Sequence, residues 1–203
     1  MNIKAIISNK KNILILAFSL LICEIVWAIG VFTDKFVIND ASLVWYKYLF
    51  KPAFNPSVSF YQVVWLIISL LTGIALYFIL NSKNTDQQVF LDKLKKIGIN
   101  PEPYSGKSNK KLALILFGIQ LILSALIIPA FFGLMSNFGG LATAFLVCLS
   151  AFAVFYNFYK ISIPAAFLMV PSVLWSAYLV GLYFTFWLFN NAALTIWLSN
   201  HIK

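Results

Sequence analysis

Arginine is missing altogether from this 203-residue chain, so all fifteen basic residues are lysine. Bidentate guanidinium clamping of a phosphate or carboxylate is therefore excluded. The single histidine, His201, is alone near the C-terminus. With no H-E-x-x-H, no Ser–His pairing and no clustered carboxylates, hydrolytic and metal-assisted chemistry have little support. Only two cysteines occur, Cys23 and Cys148, each inside an apolar run and at no metal-ligand spacing. They read as packing residues. Charged residues make up 10% of the chain and hydrophobic residues 62%, with a mean hydropathy of +0.89. Soluble domains carry about 25% charged residues, so a soluble protein is excluded. The net charge of +9 comes from lysines, most of them gathered in two clusters. That pattern reads as membrane topology, not nucleic-acid binding.

What is present is apolar length. Spans are expected over about 13–32, 59–80, 112–134, 141–159 and 165–189, each close to the ~20 residues a membrane helix needs. The fold class is thus an all-α integral membrane protein, a five-helix bundle in a single domain covering residues 1–203. A cleaved leader is the competing reading for the first span, but its apolar core is longer than the usual ~7–15 residues, so a retained helix is expected. Glu24 interrupts that span. A carboxylate at such depth is costly, by roughly 2.5–3.5 kcal/mol on insertion scales, and should face the interior or a polar cavity. It is either a hydrogen-bonded structural group or a ligand contact. Pro129 and Pro171 fall inside spans, where neighbouring helices can satisfy the freed carbonyls.

Between the first two spans, Thr33–Val58 reads as an ordered lid loop. Pro52 and Pro56 fix φ and push Lys51 and Asn55 towards extended geometry. Trp45, Tyr46 and Tyr48 carry rings that settle at a membrane–water boundary, and a simple interfacial anchor would also explain them. The 81–111 connection is long and basic. Val89, Phe90, Leu94 and Ile97 fall on one helical face within it, which suggests an amphipathic helix on the membrane surface. Ile196, Trp197 and Leu198 suit a C-terminal tail at the interface. Five spans would leave eleven lysines on the side of the N-terminus and the long connection, and four on the other. The positive-inside rule then places the N-terminus in the cytoplasm of a bacterial cell, with the lid loop and C-terminus outside.

Three stretches share a pattern. The lid loop reads WYKYLFKPAFNP, the third span QLILSALIIPAFFG, and the fifth PSVLWSAYLVGLYFTFWLFN. Together, in order and in register, they resemble the TspO/MBR family of translocator and tryptophan-rich sensory proteins. Ser124, Ile127, Ile128, Ser172, Leu179 and Tyr183 depart from the usual family residues; Ser124 and Ile128 remove hydrogen-bonding capacity from a pocket wall, and Leu179 should narrow it.

The resemblance implies a ligand cavity inside the bundle, closed by the lid loop. It implies a porphyrin or other planar hydrophobic ligand, with sterols in some members, and a homodimer in the bilayer. Ligand contacts would be Trp45, Tyr46, Pro52, Phe54, Pro56, Trp65, Ser124, Phe131, Trp175 and Leu179. Trp65 and Trp175 would hold the ligand from opposite walls, and ordinary bundle packing is their competing role. Three functions remain open: a receptor or sensor, an enzyme degrading porphyrin through Trp65 and Trp175, and a carrier of apolar ligands. No inverted repeat or ionisable relay supports the carrier. No cofactor and no metal are expected. Gly140 and Ala144, four apart, offer modest support for a dimer through close helix packing.

Overall fold

The computed structural model of the chain describes residues 10–82, 95–96, 98 and 109–191. The amphipathic helix expected around 89–97, most of the basic connection and the interfacial tail lie outside the described residues. The rest is helical: α1 (Lys10–Val37), α2 (Asp40–Tyr48), α3 (Val58–Asn81), α4 (Lys110–Ala125), a π-helical turn (Pro129–Gly133), α5 (Asn137–Ile161) and α6 (Ile163–Phe189). In a bilayer no water satisfies backbone groups, so helices that bond internally are the available solution for such apolar sequences.

Four helices, α1, α3, α5 and α6, are long and apolar enough to cross a membrane by themselves. The expected third span differs. Its regular part, α4, has 16 residues, about 24 Å at ~1.5 Å per residue and short of a ~30 Å hydrocarbon core. The cause is Pro129, which has no N–H to donate back to the preceding turn. The chain widens there into a π turn closed by Leu134 N–H donating to the Pro129 carbonyl at 3.2 Å. The helical run from 110 to 133 is thus a composite, and the expected five crossings become four continuous helices plus this one.

The ordered lid is largely helical: α1 continues to Val37, and Trp45, Tyr46 and Tyr48 lie on α2. Prolines 52 and 56 constrain only their own surroundings. Upstream, Asn39 and Ser42 form a reciprocal capping box: Ser42 N–H donates to Asn39 Oδ1 at 2.9 Å and Asn39 N–H to Ser42 Oγ at 3.0 Å. Asp40 in the first turn and Lys47 in the last complement the helix dipole. Leu49 ends the helix in extended conformation, which leaves 49–57 as the loop proper.

The long helices close a ring in the order α1, α3, α6, α5, α4, with α4 returning to α1. The α5–α6 pair is the most extensively packed and the α4–α1 seam the least. Small residues allow the close approaches. A Cβ on Gly73 of α3 would lie 3.1 Å from Leu20 Cα of α1. On Gly140 of α5 it would lie 2.7 Å from Phe131 Cδ2 and 2.8 Å from Tyr183 Cδ1. Gly140 and Ala144 are therefore buried within the chain itself. Their spacing serves the internal packing of α5, and the sequence support for a dimer falls away.

These approaches predict a contrast between two glycines. Gly140→Ala should lower stability by about 1–3 kcal/mol, the usual cost of overpacking. Gly118→Ala, with nothing within 4 Å of its added carbon, should be neutral or slightly stabilising. Thermal unfolding of both variants in one detergent compares them. Equal stability would mean that the Phe131–Gly140–Tyr183 contact is not close packed.

Candidate functional site

Inside the ring, towards α2 and the loop, lies a cavity of about 230 Å³. Its walls come from α1, α3, α4 with the π turn, and α6, and α2 and the loop cover it. Helix α5 stands behind and contributes no lining residue.

Each wall follows from local pattern. On α1, Cys23, Val26, Trp27, Gly30 and Val31 recur at helical spacing and present one face inward. Helix α3 presents Tyr61, Gln62, Trp65, Ile68, Ser69 and Thr72 in the same way. The π turn swings Phe131 into the core, 2% exposed. There it meets Trp45 edge-on at 5.1 Å, Tyr183 at 4.9 Å, Phe132 at 5.0 Å and Phe186 at 5.4 Å. Edge-to-face pairs at such distances are favoured by the ring quadrupoles.

Of the residues expected at the site, Tyr46, Pro56, Trp65, Ser124, Phe131 and Leu179 line this cavity. Leu179 is 1% exposed and fills space beside Ile127 and Val147. Phe54 and Trp175 do not line it. They lie on an open groove between α3 and α6, with Phe60, Val64, Leu174 and Tyr178. Trp175 stacks on Tyr178 at 5.0 Å and meets Tyr61 edge-on at 5.4 Å. Trp65 thus lines the cavity and Trp175 the adjoining groove, with Asn55, Pro56 and Ile68 lining both. Trp45 packs behind Phe131, and Pro52 is buried in the loop; neither lines the cavity.

The loop is held from α6. Asn190 Oδ1 accepts from Phe50 N–H at 2.6 Å, while its Nδ2 donates to the Phe50 carbonyl at 3.1 Å. Tyr178 Oη donates to the Phe54 carbonyl at 2.7 Å. Within the cover, Asn55 Nδ2 donates to Tyr46 Oη at 3.0 Å, and Lys51 Nζ sits 4.6 Å above the Tyr46 ring.

Polar groups gather at the inner end. Ser69 Oγ donates to Glu24 Oε1 at 2.7 Å, so Glu24 is a hydrogen-bonded group between α1 and α3. Thr72 Oγ1 donates to the Ser69 carbonyl at 3.0 Å. Gln120 Nε2 donates to Ser172 Oγ at 3.0 Å. Sequence reasoning missed Trp27, Tyr61 and Gln62, which the α1 and α3 periodicities signal, and Gln120 on α4 as lining residues.

Loosening the cover is testable through a single amide. Replacing Asn190 by Leu removes both bonds to Phe50, so hydrogen exchange at the Phe50 N–H should accelerate by about tenfold or more, given roughly 0.5–1.5 kcal/mol per neutral bond. Unchanged protection would mean that the loop is held by other contacts.

Comparison with known proteins agrees with this architecture. The sequence profile of the TspO/MBR family matches residues 10–188. The chain is also 29% identical over 176 residues to the tryptophan-rich protein TspO of Chlorobaculum tepidum, an alignment covering 87% of this chain and 96% of that protein. With nearly all the described helical ring inside the matched region, the chain belongs to the TspO/MBR family.

Proposed function

We propose that this protein is a membrane receptor that takes a hydrophobic ligand into the cavity beneath the lid. The observation that carries the reading is the enclosure of that space by Trp27, Tyr46, Tyr61, Trp65, Phe131 and Phe186, under a loop fastened at both Phe50 and Phe54. Apolar walls with few polar groups suit a flat aromatic ligand. The volume of about 230 Å³ is below the ~300–1,000 Å³ of pockets that bury drug-sized ligands. In this closed form the cavity fits a small polycyclic molecule. A tetrapyrrole, the ligand class implied by the resemblance, requires the loop or the α1–α4 seam to yield.

The separation of Trp65 from Trp175 gives no support to a porphyrin-degrading reaction using both rings. A homodimer rests on the family alone, now that Gly140 and Ala144 are engaged internally. The proposed setting is a bacterial cytoplasmic membrane with the N-terminus inside, from the lysine distribution. Single cysteines placed at Ala53 in the loop and in the 81–111 connection check it. The loop site should react with an impermeant thiol reagent from outside, and the connection only after lysis. Reversed access would overturn the orientation.

Binding is tested by titrating the purified protein with protoporphyrin and with a small polycyclic aromatic, in darkness, while following tryptophan fluorescence. Trp65→Phe should weaken binding by about 1–3 kcal/mol if its ring stacks on the ligand, by analogy with base–aromatic stacking. Trp187→Phe and Trp175→Phe should leave affinity nearly intact, since neither ring lines the cavity. Affinity that survives Trp65→Phe and falls with Trp175→Phe would move the site to the outer groove. Loss of porphyrin with a new product under light would instead favour an enzyme.

A further inference from the structure

The inner end of the cavity holds an unusual group. Gln120 is 4% exposed, lines the cavity, and uses its Nε2 on Ser172. Its Oε1 is fully buried and has no hydrogen-bond partner. Among the described residues lining the cavity, it is the only fully buried side-chain nitrogen or oxygen in that position. Two of the other lining hydroxyls are engaged elsewhere, Thr72 with the Ser69 carbonyl and Ser69 with Glu24. Buried acceptors in native proteins are nearly always satisfied, and an exception calls for an explanation such as a missing partner. No lysine is among the residues lining the cavity, so the wall has no cation with which to receive a carboxylate.

We propose that the inner end of the cavity reads a hydrogen-bond donor, a hydroxyl or N–H, on the leading end of an otherwise apolar ligand, with Gln120 Oε1 as its acceptor. This rests on the receptor reading above and adds the chemical class of the ligand. The bond between Gln120 Nε2 and Ser172 Oγ orients the amide, leaving the oxygen for the ligand. Affinity comes from the aromatic walls. The amide sets selectivity, because a ligand without a donor leaves the buried oxygen unpaired.

Carbazole, fluorene and fluorenone provide the test. They are flat tricyclic molecules of nearly equal size that present N–H, CH₂ and C=O at the same position. Binding is measured with the full-length protein in nanodiscs, as energy transfer or quenching from tryptophan, with empty nanodiscs correcting for partition into lipid. Carbazole should bind up to roughly tenfold more tightly than fluorene, the value of one net neutral hydrogen bond. Gln120→Leu should erase that preference while retaining fluorene binding, and Ser172→Ala, which frees the amide to turn, should reduce it. The wild-type comparison decides the matter even where a variant folds poorly. Equal binding of carbazole and fluorene overturns this inference and leaves the receptor reading standing. A preference for fluorenone means the amide presents its N–H₂ and overturns the donor assignment. Binding of none of the three overturns the receptor reading, and this inference with it.

Discussion

The contact of the Phe131 ring with Gly140 holds the lid half of the molecule together. Lipid tails are as apolar as the helices, so the association of helices depends on close packing more than on hydrophobic burial. A glycine on α5 lets the ring approach to where a β-carbon would stand. The same ring touches Trp45 and Tyr46 of the cover and Tyr183 and Phe186 of α6. It reaches that position because Pro129 turns the end of α4 into a π helix. One missing N–H thus places the residue on which cover, α5 and α6 converge.

The ring of helices has unequal sides, and the cavity follows from that inequality. Helix α5, packed extensively on α6, contributes no described residue to the cavity or the outer groove. Where α1 meets α4 the packing is sparse, and inward-facing Trp27, Gly30 and Leu121 border the void. The outer groove between α3 and α6 shares Asn55, Pro56 and Ile68 with the cavity, so the two adjoin. Trp175 lines the groove and Trp65 the cavity.

Hydropathy made the long helices legible, because twenty-odd apolar residues have few alternatives in water or lipid. Phe131, Trp65 and Leu179 were legible as lining residues through motif register. Trp175 was not, since register places a residue along a helix but does not say which helix it meets across the groove. The lid's order was legible from Pro52 and Pro56, whereas its helix α2 is signalled by the capping pair Asn39 and Ser42. Gln120 stood in plain view within a quoted motif, but its unpaired oxygen emerges only when Ser172 is brought to its other end by tertiary packing. The reach of Gly140 was ambiguous for a related reason: a small-residue spacing serves an internal contact and a dimer equally well.

Photo-crosslinking bears most directly on the central claim, that ligand occupies the space inside the ring. A small tricyclic aromatic carrying a diazirine, bound to the protein in nanodiscs and mapped by mass spectrometry, samples every wall within reach. The account predicts adducts on the inward faces of α1 around Trp27, α3 around Trp65 and α4 around Gln120, suppressed by excess carbazole. Adducts confined to Leu174, Trp175 and Phe60, with α1 and α4 unlabelled, would contradict it.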